Sequence, residues 1–368
     1  MKYRKFGNTG FEISAVGFGA MRLPEYEKDG KWYMREEESI AAMHRAFDLG
    51  VNYIDTAWMY SHGNSQAIVG KGLKGYHGKV KVSTKLPMGD LKKPDDFWYF
   101  LEQQLKQLEV DCIDFYHLHG LNNNSFEEKA LAWNLIDKME DAKRQGMIAH
   151  KSFSFHDNPE VMRKIIDTDA FESVLCQYNL LDRRNEEVMK YAHDKGLGVV
   201  CMGPVAGGRL AVTSDVLKNM IGNVSGTTEI ALRFVLANND VSCALSGMEN
   251  IKMVEENTEI ASREDEMSAA EWLQVSDALE EVKAMSDLYC SGCNYCQPCP
   301  KDIDIARVFH MYNLHKIYGL TDFVKKEYNE MKVRPADCIS CGKCVKKCPQ
   351  FIKIPDKLRE AESALGVV

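Results

Sequence analysis

The sequence predicts an α/β protein in which a (β/α)8 TIM barrel is followed by a small, α-helical, cysteine-rich domain. Along the first 260 residues, eight short apolar or β-branched runs alternate with longer segments of helical periodicity. The starts of these runs recur about every 20 to 45 residues, the length of a strand and helix with their loops. The last eighty residues contain eight of the twelve cysteines.

The predicted elements follow in order along the chain. A glycine-rich turn between Lys2–Phe6 and Glu12–Ser14 predicts a hairpin that caps the barrel bottom. Eight strands in about 250 residues then favour a barrel over a doubly wound open sheet: Ala15–Gly19, Tyr53–Thr56, Val80–Lys85, Asp114–His119, His150–Ser154, Ser173–Gln177, Gly198–Met202 and Ser242–Ser246.

Helical segments lie between the strands, and three of them end at a glycine, which adopts the left-handed conformation without strain. No Gly-x-Gly-x-x-Gly motif opens a helix after the first strand, which disfavours a Rossmann site. The predicted helices are Glu37–Leu49, Asp95–Leu108, Leu131–Gln145, Pro159–Asp167, Asn185–Lys195 and Thr228–Ala237.

The cysteines form two runs, each followed by proline. The second run has the spacing of bacterial ferredoxins, in which three cysteines bind one 4Fe-4S cluster and the fourth binds the other. Zinc is the alternative, but zinc frameworks usually separate two cysteine pairs by a long loop. We therefore predict a ferredoxin-like domain with two 4Fe-4S clusters, one held by Cys290, Cys293, Cys296 and Cys348 and the other by Cys338, Cys341, Cys344 and Cys299.

Composition bounds the remaining choices. We expect the barrel at 1–265, a helical linker at 266–288 and the cluster domain at 289–368. The chain lacks an apolar stretch of the roughly twenty residues that a membrane span needs and shows no signal peptide, so we expect a soluble, cytoplasmic protein. A net charge of -8 disfavours nucleic acid as a partner.

The charge is unevenly distributed. From Cys290 onward there are thirteen Lys and Arg against nine Asp and Glu, a net charge of +4, which leaves -12 for the preceding part. A basic surface around the clusters would attract an acidic electron carrier such as ferredoxin or flavodoxin. The alternative is that these lysines offset the negative charge of thiolate-ligated clusters.

Ionisable residues end three consecutive predicted strands, at Asp55, Lys85 and His119, and Tyr60 follows in the loop after Asp55. In a barrel, catalytic groups gather at these ends of the strands. We expect Asp55 to position Lys85, Lys85 to lower the pKa of Tyr60, and Tyr60 to transfer a proton. A neutral His119 would orient a substrate oxygen. His117 shares the strand face, and we expect a hydrogen-bonded core residue there, with a proton relay as the alternative.

These segments resemble the Asp, Tyr, Lys and His tetrad segments of the aldo/keto reductases: Asp55-Thr56-Ala57-Trp58-Met59-Tyr60, the strand end at Lys85, and Asp114-Phe115-Tyr116-His117-Leu118-His119. The resemblance extends from Arg4 to about Asn257, and with the cysteine tail it is to the subgroup with a C-terminal ferredoxin-like 4Fe-4S domain. It implies that a nicotinamide cofactor lies across the barrel mouth and passes hydride to a carbonyl, while the tyrosine supplies the proton.

The resemblance also implies where the cofactor binds. Ser154 and Gln177 match residues that hold the nicotinamide carboxamide, and Asn257 matches an adenine contact. Met202 replaces the aromatic residue that usually stacks on the nicotinamide ring. The full set of expected cofactor contacts is Gly19, Met21, Arg22, Ser154, Gln177, Met202, Gly203, Pro204, Ser246, Gly247, Met248 and Asn257.

The chain departs from the family where cations normally bind the 2'-phosphate of NADPH, since Gly247 and Met253 occupy those places. Lys252 or Arg209 could substitute for them. The sequence therefore leaves NADPH and NADH open, and a flavin at the barrel mouth is a further alternative.

Two functions from different classes fit these features. The first is an oxidoreductase that interconverts a small carbonyl and an alcohol, with two clusters that exchange electrons with a partner. The second is an electron-transfer or redox-sensing protein whose barrel only binds nucleotide, with structural or regulatory clusters. An acid-base set is unnecessary for binding alone, which favours the first. We expect a monomer or a homodimer.

Overall fold

The structure is a computed structural model that describes residues 1–180, 182–205, 227–264, 267–268, 270–277, 290, 292–318 and 321–366. The chain forms two compact units. One comprises Met1–Pro204 and Leu232–Met267, and the other comprises Val205–Ala231 and Ser268–Val368.

Eight parallel strands form a closed barrel in the first unit, and they follow one another around it in chain order. The predicted barrel and its eight strands are confirmed. The strands are β3 (Val16–Gly19), β6 (Tyr53–Asp55), β7 (Lys81–Leu86), β8 (Ile113–Leu121), β9 (Ile148–Phe155), β10 (Ser173–Gln177), β11 (Gly198–Met202) and β12 (Cys243–Ser246).

The predicted hairpin closes the N-terminal end of the barrel. It consists of the antiparallel strands β1 (Tyr3–Lys5) and β2 (Glu12–Ser14). The Phe6 ring is fully buried, with its centroid 4.8 Å from that of Phe115. A Cβ on Gly198 would lie 2.1 Å from the Phe6 ring, so only glycine fits at the start of β11. The hairpin thus fills the barrel bottom and leaves the opposite end for ligands.

Two elements near the start of the barrel are absent from the predictions. A second hairpin follows β3 and consists of β4 (Glu25–Lys28) and β5 (Lys31–Met34). Its side chains are mostly exposed on both faces, so the sequence lacks the alternation that signals a strand. The other element is the short helix α2 (Ser65–Gly72), whose two glycines lower its helix propensity.

The predicted helices form, with one late start. Asn134 takes φ 53°, which separates a π-helical turn at Phe126–Leu131 from the following α-helix, so the helix expected from Leu131 begins at Leu135. The helices of the barrel region are α1 (Glu36–Asp48), α2 (Ser65–Gly72), α3 (Asp96–Leu108), α4 (Asn123–Ser125), α5 (Leu135–Arg144), α6 (Pro159–Ile166), α7 (Glu186–Asp194), α8 (Thr227–Ala237) and α9 (Ile251–Ser262).

The cysteine-rich unit has its own apolar core. Its helices are α10 (Ile305–Tyr318), α11 (Thr321–Asn329) and α12 (Ile354–Leu365). Val308 and Phe309 of α10 pack in one cluster with Leu358 of α12, and most of the motif cysteines pack against this cluster. The fold class predicted from the sequence is therefore confirmed.

The predicted linker helix at 266–288 falls partly outside the described residues. Residues 270–277 are helical, whereas 278–289 lie outside the described part. The boundaries 1–265, 266–288 and 289–368 stay predictions. In the part of the chain that the structure describes, no helix combines the length and apolar character that a membrane span requires.

Candidate active site

A buried ion pair lies at the C-terminal ends of β6 and β7. Lys85 Nζ donates to Asp55 Oδ1 at 2.5 Å and to the Thr56 carbonyl oxygen at 2.8 Å. Both charged side chains are about 1% exposed. Burial raises the pKa of Asp55 and lowers the pKa of Lys85, and the attraction between the two charges opposes both shifts. The contact fixes the lysine as the sequence predicts.

Tyr60 lies directly over this pair. Lys85 Nζ is 4.6 Å from the centroid of the Tyr60 ring, a distance at which an ammonium and an aromatic face attract each other. Burial, and then the charge of Asp55, raise the pKa of Tyr60 well above 10. The expected lowering of this pKa is wrong in this structure, because the ammonium donates to Asp55 and Thr56 and lies against the ring face. Tyr60 therefore retains its proton at neutral pH.

Three histidines lie near the same lysine. The ring of His119 meets the ring of Tyr60 edge-on, with centroids 6.1 Å apart. Burial is the largest cause that lowers the pKa of His119 well below 6.5, and Lys85, His156 and His117 add to it. Burial also lowers the pKa of His156 to about 4. His119 is thus neutral, as expected, and the four predicted tetrad residues lie together.

His117 differs from its predicted role as a hydrogen-bonded core residue. It is fully buried, and neither ring nitrogen has a hydrogen-bond partner of acceptable geometry in the described part of the chain. Burial lowers its pKa to about 3, with a further contribution from Lys85, although the nearby Phe153 backbone opposes the shift. A neutral imidazole costs less to bury than a charged one.

Two residues that support the buried ion pair were not predicted from the sequence. Ser83 Oγ donates to Asp55 Oδ2 at 2.7 Å, and Gln104 Nε2 donates to the Lys85 carbonyl oxygen at 2.9 Å. Ser83 and Lys85 are two residues apart on one strand and therefore share a face, which could have identified the serine. Gln104 comes from α3, and only the packing of that helix on β7 brings it close.

The second hairpin reaches the loop that carries Tyr60. Trp32 of β5 stacks on His62, with ring centroids 5.6 Å apart and planes at 14°. The Glu25 carboxylate lies 3.4 Å from His62 Nε2. Ser61 and His62 both have positive φ, so the chain bends sharply after Tyr60. These contacts hold the loop beside the candidate site.

Four polar side chains at the expected cofactor positions are buried: Ser154, Gln177, Ser246 and Asn257. Asn257 Nδ2 donates to Ser246 Oγ at 3.1 Å, and Ser154 Oγ accepts from the Gly120 amide at 2.7 Å. Buried polar groups need partners, and hydroxyl and amide groups at strand ends fit a carboxamide or another uncharged polar group. This donor set fits the expected nicotinamide.

The other expected contacts vary in exposure. Gly203 has φ 65°, and a Cβ there would lie 2.7 Å from Gln177 Nε2, so glycine is needed for the glutamine to stay in place. Met21 and Arg22 are exposed, Met202 is partly buried, and Pro204 and Met248 are buried. The remaining two, Gly19 and Gly247, lie at or just after the ends of the neighbouring strands β3 and β12.

The region expected to meet the 2'-phosphate has few cations. Lys252, in the first turn of α9, forms an ion pair with Glu256 at 3.7 Å. Gly247 and Met253 cannot supply charge. Arg209, the other substitute, lies outside the described residues. The choice between NADPH and NADH stays open.

The cysteines border two cavities in the second unit. One small cavity is lined by Cys290, Cys293 and Cys296 from the first motif and by Cys348 from the second. Burial raises the pKa of the Cys296 thiol to about 12, and the charges of the other three cysteines add to this. The thiolate is the form that binds iron, so metal ligation would relieve this repulsion.

The other cavity shows the reciprocal crossing. Cys338, Cys341 and Cys344 of the second motif line it together with Cys299 of the first, and Cys296 also borders it. Burial raises the pKa of Cys344, with further contributions from Cys338, Cys341 and Cys299. The two groups of four match the predicted ligand sets, and the residues fit two clusters.

Gln297 connects the two cysteine motifs, and no motif in the sequence predicts this role. Its Oε1 accepts from the Cys299 amide at 2.7 Å, and its Nε2 donates to the Ile303 carbonyl oxygen at 2.8 Å. Its own carbonyl oxygen accepts from Lys347 Nζ at 3.0 Å. Two residues separate Cys296 from Cys299, whereas three separate Cys344 from Cys348 in the second motif. Gln297 thus stabilises this shorter segment and connects it to the second motif.

The fold and site define a barrel oxidoreductase joined to an iron-sulfur domain. The profile of the aldo/keto reductase family matches residues 15–280, and a profile described as a 4Fe-4S dicluster domain matches residues 289–352. The first match covers more than half of the chain, so the chain belongs to the aldo/keto reductase family.

Known relatives share the barrel region at low identity. An uncharacterized oxidoreductase, YqkF of Bacillus subtilis, is 26% identical over 298 residues, which are 71% of this chain and 92% of its own length. L-galactose dehydrogenase of Arabidopsis thaliana is 25% identical over 316 residues, 77% of this chain and 94% of its own. The holo form of aldo-keto reductase AKR11C1 from Bacillus halodurans has a TM-score of 0.64 at 26% identity, covering 76% of this chain and 96% of that one.

Proposed function

We propose that this protein interconverts a small carbonyl compound and an alcohol with a nicotinamide cofactor, and that its C-terminal domain holds two 4Fe-4S clusters that exchange electrons with a partner. The observation that carries the proposal is the grouping of Asp55, Lys85, Tyr60 and His119 at the C-terminal end of the barrel. A barrel that only bound nucleotide would have no use for a buried ion pair under a tyrosine.

Each tetrad residue has a distinct task in carbonyl reduction. Reduced nicotinamide, when bound, supplies the hydride that the carbonyl carbon accepts. Tyr60 donates the proton to the substrate oxygen, so that one hydride and one proton convert the carbonyl to an alcohol. The neutral His119 donates a hydrogen bond to the same oxygen and stabilises the developing negative charge. Lys85, held by Asp55, lies against the Tyr60 ring face and positions the phenol.

The cofactor contacts support this proposal from the other side of the barrel mouth. Ser154 and Gln177 are buried on the adjacent strands β9 and β10, where they would hold the carboxamide, and Asn257 with Ser246 would hold the adenosine end. The name of one relative, an L-galactose dehydrogenase, supports alcohol oxidation as well as reduction. The direction and the substrate remain open to experiment.

The clusters have a separate role in the proposal. A 4Fe-4S cluster, when bound, accepts and releases one electron at a time. Cys290, Cys293, Cys296 and Cys348 would hold one, and Cys338, Cys341, Cys344 and Cys299 the other. The lysine-rich second motif fits an acidic carrier as the external partner.

The pH dependence of carbonyl reduction tests this function. Because the pKa of Tyr60 is raised above 10 and that of His119 is lowered below 6.5, both groups are in their active, protonated and neutral forms across the intervening range. We expect kcat/KM for an aldehyde panel with NADPH or NADH to be flat from about pH 6.5 to about pH 9.5. A fall with a midpoint near pH 7 or 8 would show that another group supplies the proton.

A further inference from the structure

One of the two cysteine groups comes closer to the surface than the other. Of the eight motif cysteines, all of which the structure describes, Cys341 alone is exposed, whereas the other seven are partly buried. Ile339 lies between the two ligands Cys338 and Cys341, lines the same cavity, and is 57% exposed. Ile339 thus places an apolar side chain at the surface beside a candidate cluster ligand.

Three lysines belong to the two cysteine motifs around Ile339. Lys301 lines the same cavity from the first motif, and Lys343 and Lys346 follow in the second. All three are exposed, and none forms an ion pair with any residue that the structure describes. Asp337 is the only acidic residue between 337 and 353, and its carboxylate accepts from the Arg334 amide. Between 337 and 353, lysines therefore outnumber acidic residues.

We propose that the surface formed by Ile339, Lys301, Lys343 and Lys346 is the docking site for an acidic one-electron carrier protein, and that electrons enter or leave through the cluster held by Cys299, Cys338, Cys341 and Cys344. This inference rests on the proposed function of the clusters. It adds which cluster exchanges electrons with the partner and which residues bind that partner. Ile339 supplies the apolar centre, and the lysines supply the charged rim that orients a negatively charged partner.

The other cysteine group provides a comparison. Phe351 is 63% exposed and lies three residues after Cys348, which belongs to the predicted ligand set that also contains Cys290, Cys293 and Cys296. However, the four cysteines of that set are all partly buried. Electron transfer weakens with distance, so a carrier docked beside the exposed Cys341 has the shorter path. Phe351 therefore serves as a matched control for Ile339.

The transfer is a one-electron exchange. The reduced carrier loses one electron and is oxidised by one unit, and the cluster pair gains that electron and is reduced by one unit. No proton, atom or leaving group moves between the two proteins. In the reverse direction the same surface serves an oxidised carrier.

Binding can be measured without turnover. The probe is an acidic 2Fe-2S ferredoxin with gallium in place of iron, titrated calorimetrically into the anaerobically purified full-length protein. We expect Lys343→Glu and Ile339→Asp each to weaken binding about tenfold or more, because each removes a contact and adds a repelling charge. Lys332→Glu and Phe351→Asp make the same charge changes elsewhere in the domain and should alter the affinity less than twofold.

Kinetics supply a second readout. We expect the bimolecular rate of cluster reduction by the reduced ferredoxin to fall at least tenfold between about 50 mM and about 500 mM salt, because the steering field is screened. Lys343→Glu should lower the rate at low salt by about the same factor. Bleaching by dithionite, a small reductant, should be unchanged, and the iron and sulfide content of each variant shows that its clusters are assembled.

The outcomes separate this inference from the function on which it rests. Equal losses from Lys343→Glu and Lys332→Glu, or a rate insensitive to salt, would overturn the docking site while leaving the clusters as redox centres. So would an Ile339→Asp variant that only converts a dimer to a monomer, since the patch would then join two copies of this chain. A protein that dithionite does not bleach would overturn both proposals.

Discussion

Replacement of Tyr60 by Phe lowers carbonyl reduction by about 10² to 10⁴-fold, because the ring remains over Lys85 but no longer carries the proton that the substrate oxygen needs. The loss should fall on kcat, with substrate and cofactor affinity little changed. Steady-state kinetics with a reactive aldehyde and NADPH or NADH measure it. Iron content should equal that of the wild type.

A matched substitution distinguishes loss of the phenol from a general effect of the change. Tyr99 is 57% exposed on α3, and Tyr99→Phe removes the same hydroxyl far from the ion pair. We expect its kcat to stay within twofold of the wild type. Full activity in Tyr60→Phe would show that the tetrad is not the acid-base site.

Replacement of Cys348 by Ala removes the cluster of the first cysteine motif, although Cys348 belongs to the second. One of the two cavities is lined by Cys348 together with Cys290, Cys293 and Cys296. Because only the cluster in that cavity is lost, the variant should retain about four of about eight iron atoms per chain. Iron and sulfide analysis after anaerobic purification measures the loss. Cys299→Ala should likewise remove the other cluster.

Double variants show which cysteines share a cluster. Cys348→Ala combined with Cys290→Ala should lose no more iron than Cys348→Ala alone, because both act on one centre. Cys348→Ala combined with Cys344→Ala should lose nearly all iron. If the second pair retained four iron atoms and the first retained none, each motif would hold its own cluster and the crossing would be wrong.

The barrel was predictable because its signals are local and repeated. Gly198–Met202 is apolar over its whole length, and Ser173–Gln177 is apolar at its three central positions, as is typical of strands buried on both faces; both match the observed bounds. The hairpin formed by β4 and β5 was not predicted because its side chains are mostly exposed on both faces. A strand without a buried face has no alternation to detect.

The candidate site was predictable to the extent that its residues sit at strand ends. Asp55, Lys85 and His119 could be located by counting along consecutive strands, whereas Gln104 could not, because only the packing of α3 on β7 brings it to Lys85. The direction of the pKa shift of Tyr60 was predicted wrongly for a related reason. It depends on whether the Lys85 ammonium faces the phenol oxygen or the ring, and the sequence does not determine that orientation.

The two halves of the chain handle electrons in different numbers. Hydride carries two electrons at once, whereas each cluster moves one, so direct exchange between nicotinamide and a cluster is a poor match. In our proposal neither site needs the other: the tetrad supplies a proton for hydride transfer, and the surface beside Cys341 exchanges single electrons. Our central claim is that the barrel performs direct hydride transfer.

Deuterium transfer tests that claim most directly. The protein, purified anaerobically, reduces an aldehyde with NADPH or NADH that carries deuterium at the reactive C4 position, in ordinary water. Direct transfer predicts one deuterium on the carbinol carbon of the alcohol, detected by mass spectrometry and NMR. Alcohol formed without deuterium would contradict the account, because electrons that pass through a cluster or a flavin lose the label to water.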